Sequence, residues 1–306
     1  MTRITIIGAT GFIGTALTHH LIEKSYEVTA ISRNKNKAEK LLGAKVRVFQ
    51  WDYKDASILA DVFEQTDVVI NLAGENIASK LWTQKQKQKI LNSRINIGEK
   101  ITEAIDKTKQ KPGLLIQGSA IGYYGIDTIK SCNEKSPKGE GFLAYVIDEW
   151  EKSTEKMEYF GVRRVIIRTG VVLGIAGGII PKLIKPIKYY VGANIGSGKQ
   201  WFSWIHLTDE IRAIEFFIQK KQLSGIFNLT APNPVQSKTF NKTVAKALNR
   251  PVWLKIPAFM IKLLPGNMGK EIFLTSQKVI PSRLQENGFT FSYPELVNAV
   301  NNLIKN

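Results

Sequence analysis

Ile4-Thr5-Ile6-Ile7-Gly8-Ala9-Thr10-Gly11-Phe12-Ile13-Gly14 is the stretch that decides how this chain reads. An apolar run ends at Ile7, three glycines follow at equal spacing, and an apolar-periodic segment opens at Ala16-Leu17. This order predicts a strand, a glycine turn and a helix start. Gly8 lets the chain turn sharply off the strand. Gly11 removes a side chain where a pyrophosphate approaches the backbone, and Gly14 lets helix and strand pack closely. Unpaired N–H groups at the helix N-terminus then face the phosphates. Gly8, Thr10, Gly11, Phe12, Ile13 and Gly14 are therefore assigned to a dinucleotide.

Outward from this turn, strands and helices alternate. Strands are expected at residues 27–31, 45–50, 68–72, 114–118 and 164–168. Helices are expected at 14–24, 57–64, from about 80 to 109, and at 142–160. That alternation predicts an α/β fold with a doubly wound parallel sheet of the Rossmann type. The second strand ends Ser32-Arg33-Asn34-Lys35, without the acid that binds a ribose 2′-hydroxyl in NAD-preferring folds. Arg33 instead suits a 2′-phosphate and can stack on adenine, which favours NADP(H). Asp52 follows the third strand, where it can accept from the adenine amino group. Leu72, Ala73 and Gly74 end the fourth strand with small residues that leave room for the nicotinamide side.

After residue 174 the texture changes. Gly177-Gly178, Pro181 and Pro186 break regularity, and a glycine-rich loop spans 192–198. Helices are expected at 208–220, capped by Thr208 or Asp209, and at 239–248, with a strand at 225–229. Residues 1–173 and 200–230 read as the dinucleotide-binding domain. Residues 174–199 and 231–306 read as a smaller, mixed α/β substrate-binding part.

The chain has 306 residues, 43% of them hydrophobic, which suffices for a sizeable core. Its longest apolar runs fall short of the roughly 18 residues of a membrane helix. Met1 leads directly into the first strand, so a cytoplasmic protein without a signal peptide is expected. One cysteine, Cys132, and three scattered histidines argue against a disulfide framework or a metal centre. The net charge is +17, spread mostly as lysine along the chain. It fits an anionic cofactor better than a specific nucleic acid, for which no recognition motif is present. A small-molecule substrate and a monomer or homodimer are expected, with no membrane partner.

The glycine turn, Asn71-Leu72-Ala73-Gly74 and Trp204-Ile205-His206-Leu207-Thr208-Asp209 together resemble the extended short-chain dehydrogenase/reductase superfamily of nucleotide-sugar epimerases and dehydratases. Ser119-Ala120-Ile121-Gly122-Tyr123-Tyr124-Gly125, Trp150-Glu151, Arg168-Thr169-Gly170-Val171-Val172-Leu173-Gly174, Gly196-Ser197-Gly198-Lys199-Gln200 and Gln277-Lys278-Val279-Ile280-Pro281 are similar to one subfamily. Its members are called epimerase family proteins and carry a distinct C-terminal domain. The resemblance runs through the whole chain and implies the fold and NADP binding.

Catalytic members of the superfamily use a Tyr-x-x-x-Lys pair and a nearby Ser or Thr. The lysine lowers the tyrosine pKa, and the tyrosine exchanges a proton with the substrate while hydride moves at the nicotinamide. Here Tyr145 has the right spacing to Glu149, but a carboxylate raises a tyrosine pKa. An alternative alignment through Glu151 puts Leu143 and Ile147 at the two positions. Aligning Tyr124-Gly125 puts Ala120 where the Ser or Thr belongs and leaves Ser119 one residue early, on the other face of the strand. Tyr124, Ser119 and Tyr145 remain the catalytic candidates. Glu75, Tyr123, Arg168, Gln200 and Trp204 are the substrate candidates, and Arg94 is placed at the nicotinamide end of the cofactor site. Each has a plainer alternative: Arg168 in a buried pair with Glu151, Glu75 paired with Arg94, His206 bonded to Asp209 rather than acting as a base. Lys199, Gln200, Trp201 and Trp204 read either as a substrate flap or as a packed aromatic corner. The leading expectation is an NADP(H)-dependent oxidoreductase or epimerase-like enzyme for a small polar carbonyl or hydroxyl compound. The alternative is a catalytically inactive NADPH-binding regulatory protein.

Overall fold

The computed structural model describes residues 1–128 and 130–305. Its central sheet has seven strands: β1 Arg3–Ile7, β2 Glu27–Ser32, β3 Arg47–Gln50, β4 Val68–Asn71, β5 Leu114–Ala120, β6 Arg163–Thr169 and β7 Gly225–Leu229. They lie in the order β7-β6-β5-β4-β1-β2-β3, every neighbour parallel. The chain reverses its direction of travel across the sheet between β1 and β4, and a crevice opens there at the carboxyl ends of the strands.

The strands hold this arrangement because both faces are buried. Ile4, Ile6, Val68, Ile70, Leu114 and Ile116 enter one core, while Ile7, Val69 and Leu115 enter the other. Helix α1, Phe12–Glu23, covers the first face through Leu17 and Leu21. The second face is covered by α3, Ala56–Phe63, and α4, Gln84–Lys107, through Leu59, Phe63, Ile97 and Ile101. Between them in sequence, α2, Lys35–Leu42, has no counterpart in the sequence reading. The Asn34 side chain accepts the Lys37 N–H at 2.9 Å and starts this helix. Only Ala38 and Leu42 are buried on it, a stripe too thin to signal a helix.

The single helix expected at 142–160 is instead α5, Phe142–Lys152, followed by a 3-10 turn, Glu155–Phe160. Next come α6, Ile180–Lys188, with Pro181 in its first turn, and α7, Leu207–Gln219, which joins α1 on the first face. Neither Thr208 nor Asp209 caps α7. His206 does, its Nδ1 accepting the Thr208 N–H at 3.1 Å. Helix α8, Ser237–Ala247, contributes Phe240 and Val244 to a further core that also holds Leu173, Ile180, Trp204 and Val300. Val171–Gly174 pairs in parallel with Trp204–His206, so this core continues from the carboxyl end of β6. No helix among the described residues is long and apolar enough to cross a membrane.

Candidate active site

Two hollows lie side by side at the crevice, with Gly74 of one against Arg94 of the other. The outer one is a groove of about 500 Å³, lined by Gly8, Thr10, Gly11, Arg33, Tyr53, Leu72, Ala73, Gly74, Glu75 and residues of α4. Its floor is shaped by absent side chains. A Cβ on Gly14 would fall 2.2 Å from the Gly8 carbonyl oxygen, and Gly8, at φ +92°, would meet the Leu72–Ala73 backbone at 2.9 Å. Phe12, Ile13 and Gly14 open α1, where N–H groups have no intrahelical acceptor, and the first turn carries no acid. These are the features of an anion cradle. The Phe12 and Ile13 side chains turn away: Phe12 packs on Gly174 and Gly177, Ile13 against the sheet core.

At the far end of the groove the Arg33 guanidinium stands 5.5 Å from the centre of the Tyr53 ring. Burial raises the Tyr53 pKa, and Trp51 packs edge-on against the ring at 4.8 Å. Tyr53 escaped the sequence reading because nothing local marks it; its backbone is left-handed, at φ +69°. Asp52 is exposed, and its carboxylate accepts the Lys54 N–H at 3.0 Å. It is not among the residues that line the groove.

The inner hollow is a partly open, mainly apolar pocket of about 230 Å³. Ala120, Ile121, Leu143, Ile147, Trp150 and Val171 are among its apolar members, with Arg94, Glu140, Thr169, Glu271, Thr275 and Gln277 as polar ones. The face of α5 that meets this pocket settles the alignment: Leu143 and Ile147 line it. Tyr145 points outward at 49% exposure, and the Glu149 carboxylate receives Lys152 at 3.0 Å. Tyr145 thus lies outside the pocket lining, and Leu143 and Ile147, the two positions of the alternative alignment, line it.

The other catalytic candidates are locked into a buried network behind the pocket. Ser119 donates to Glu151 at 2.5 Å. Glu151 also takes Arg168 through both oxygens at 2.8 Å. Tyr124 donates to Asn228 at 2.7 Å and accepts from Arg168 at 3.2 Å. Burial pushes the Tyr124 hydroxyl up to about 12, so it holds its proton at neutral pH. Ser119, Tyr124 and Arg168 are thus tied into one buried network with Glu151 and stay outside the pocket lining. Tyr123 belongs to the same packing, its ring centre 3.4 Å from the Arg168 guanidinium.

The flap reading also fails. Trp204 is fully buried, its indole N–H donating to Asn233 at 3.3 Å. Gln200 turns back to Ile195 at 3.1 Å, and Trp201–Phe202 pairs with Val235–Gln236. This backbone pairing and the buried Trp204 make the segment an aromatic corner. His206 stays outside the pocket lining, with burial lowering its pKa. Asp209 is not its hydrogen-bond partner, because the Asp209 carboxylate accepts the Ser292 and Tyr293 N–H groups at 2.7 and 2.8 Å. Cys132 is half-buried, and burial raises its pKa.

Three pocket features escaped the sequence reading. Thr169 lines the pocket and donates to Glu210 at 2.8 Å. Glu210 is completely buried, its other oxygen has no partner, and burial raises its pKa to about 8. Glu271, 129 residues from Phe142, accepts the Phe142 and Leu143 N–H groups at 3.1 and 2.8 Å and so caps α5. Gln277 pins the Ile121–Tyr124 turn by donating to the Ile121 and Gly125 carbonyls. Glu75 and Arg94 do lie together, but the Arg94 Nη1 donates to the Glu75 carbonyl at 3.0 Å, while the Glu75 carboxylate faces Lys89 at 3.1 Å.

Comparison with known proteins places this geometry. Residues 4–230 match the NAD dependent epimerase/dehydratase family, and residues 256–303 match a domain of unknown function, DUF1731. The chain is 38% identical over 303 residues to the epimerase family protein YfhF of Bacillus subtilis (strain 168), covering 99% of this chain and 98% of that one. It is 35% identical over 304 residues to the chloroplastic SDR39U1 homolog of Arabidopsis thaliana, covering 97% and 85%. Among solved structures, human epimerase family protein SDR39U1 (isoform 2) with NADPH superposes with a TM-score of 0.86 at 29% identity, over 100% of both chains. A UDP-glucuronic acid 4-epimerase from Bacillus cereus, at 18% identity and a TM-score of 0.82 over 99% and 98% of the two chains, shares the fold.

Proposed function

Because this chain belongs to the NAD dependent epimerase/dehydratase family, we propose that it is an NADP(H)-dependent oxidoreductase or epimerase-like enzyme for a small carbonyl or hydroxyl compound. The observation that carries the reading is the adjacency of the two hollows at the carboxyl ends of the strands: Gly74 of the phosphate cradle stands against Arg94 of the mainly apolar pocket. The NADPH in the structure of the human relative supports the choice of cofactor, as does the lack of an acid at the end of β2.

Bound in the groove, a nicotinamide dinucleotide supplies the hydride donor or acceptor. The open N–H groups of α1 hold the pyrophosphate, and Arg33 holds the 2′-phosphate. Leu143, Ile147, Trp150 and Val171 keep water from the reacting centre. With no tyrosine in the pocket lining, Thr169 Oγ1 gives the substrate oxygen its proton in the reducing direction. Glu210 behind it, protonated below about pH 8, turns its O–H to Thr169 to restore that proton and is left as the carboxylate. A pocket of about 230 Å³ is below the roughly 300–1,000 Å³ of drug-sized sites, so it takes a compact molecule rather than a nucleotide sugar.

The test is a fluorescence titration of NADPH and NADH on wild type and Arg33→Ala, followed by an NADPH-oxidation screen of small aldehydes and ketones. A tenfold or greater preference for NADPH, about 1.4 kcal/mol, that disappears in Arg33→Ala supports the cofactor assignment. Absence of binding by either dinucleotide overturns it. A second reading, an NADPH-binding regulatory protein, is favoured by one observation: Leu143 and Ile147 stand where the proton-transfer pair belongs. Tight NADPH binding without turnover of any compound in the screen would select it.

A further inference from the structure

We propose that Arg94 makes the inner pocket a binding site for a small carboxylate with an apolar body. This names the substrate class of the cleft and so rests on the NADP(H) reading above.

Arg94 is the cationic residue of the pocket lining, and none of its neighbours neutralises it. Among the described residues it forms no salt bridge. Glu75, whose backbone carbonyl Arg94 binds, turns its carboxylate to Lys89 at 3.1 Å and Gln86 at 3.3 Å. The guanidinium is nonetheless tightly placed. Nη1 donates to the backbone carbonyls of Glu75 at 3.0 Å and Ile90 at 3.1 Å. The Trp150 ring centre lies 5.0 Å from Cζ. A Cβ on Gly74 would approach Cζ to 3.1 Å, so glycine there gives the guanidinium its room. Burial lowers the Arg94 pKa to about 10, which leaves it charged at neutral pH.

A charge held this way, with burial outweighing the Coulombic help of Glu75 and no carboxylate bonded to it among the described residues, is costly until an anion meets it. Nε and Nη2 have no protein acceptor among the described residues, and neither is sealed from solvent. Those two donors form one edge of the planar fork, the edge that pairs with a carboxylate through two parallel bonds. The rest of the cavity fixes the ligand's other end. Leu143, Ile147 and Val171 accept an apolar body. Glu271 and Glu140 also border the pocket; Glu271 spends both oxygens on the α5 N–H groups, and Glu140 is exposed at the rim. Both repel an anion, so a carboxylate is directed to Arg94.

The experiment pairs each acid with its uncharged amide: benzoate with benzamide, and butanoate with butanamide. Binding is measured by calorimetry on wild type and Arg94→Gln, each with and without saturating NADPH, and NADPH affinity is measured separately. The expected result is acids bound at least tenfold more tightly than amides by wild type. In Arg94→Gln that margin is lost. Equal affinity for acid and amide in the wild type overturns the proposal without recourse to any variant, and it leaves the cofactor reading intact if NADPH binds. A tenfold loss of NADPH affinity in Arg94→Gln also overturns it, because Arg94 then serves the dinucleotide. If wild type fails to bind NADPH but keeps the acid–amide margin, the cofactor reading falls and the carboxylate site stands.

Discussion

Arg168 and Glu151 meet through two hydrogen bonds of 2.8 Å, both side chains buried beneath the inner pocket. Burial opposes the charge on Arg168, and the adjoining carboxylate restores it, so the arginine stays protonated. Removing one partner of such a pair leaves the other charge uncompensated, which typically costs about 3–5 kcal/mol. Glu151→Ala should lose stability on that scale in urea unfolding. A loss below about 1 kcal/mol, the net worth of an ordinary hydrogen bond, would show that the pair carries no such burden.

The two tyrosines of the catalytic question should separate cleanly. Tyr145→Phe changes a solvent-facing hydroxyl and should alter neither stability nor NADPH affinity. Tyr124→Phe strands the buried Asn228 Oδ1 and should cost about 1–3 kcal/mol. Equilibrium unfolding of both variants checks this, and a Tyr145→Phe protein that lost NADPH oxidation would overturn its exclusion from the site.

Glu210 sets a pH dependence of stability. Its folded pKa, about 8, lies above the ordinary 4.5. Between those values the native state holds one proton more than the unfolded chain, so this group's contribution is full below about pH 4.5 and fades as pH rises through about 8. The slope approaches about −1.4 kcal/mol per pH unit. Glu210→Gln keeps an acceptor for Thr169 but cannot ionise. It should flatten that part of the profile and exceed wild type in stability at pH 8.5. Parallel wild-type and variant profiles would refute the assignment.

Glycine positions offer a steric test of the groove. Gly14→Ala sets a methyl 2.2 Å from the Gly8 carbonyl oxygen, where backbone must move. NADPH affinity should fall more than tenfold. Gly113→Ala meets nothing closer than the Asp67 carbonyl at 3.9 Å and should bind NADPH as wild type does.

The glycine spacing from Gly8 to Gly14 and the strand–helix alternation were legible without coordinates, because both are local. A turn that must exclude Cβ atoms demands glycine at set intervals, and strands buried on both faces must be apolar throughout. The missing acid after β2 could be read for the same reason, since it needs only the end of one strand. Tyr145 and Leu143, by contrast, are two residues apart on one helix, and local sequence does not say which faces the cleft. Leu143, Val146, Ile147 and Trp150 share the face of the helix that lines the pocket, which leaves Tyr145 to solvent. Arg168, Trp204 and Glu210 are polar or amphipathic side chains whose environments come from segments far away in sequence. Whether such a group binds substrate, completes a buried pair or holds a proton depends on what long-range packing brings against it, and only the tertiary structure supplies that.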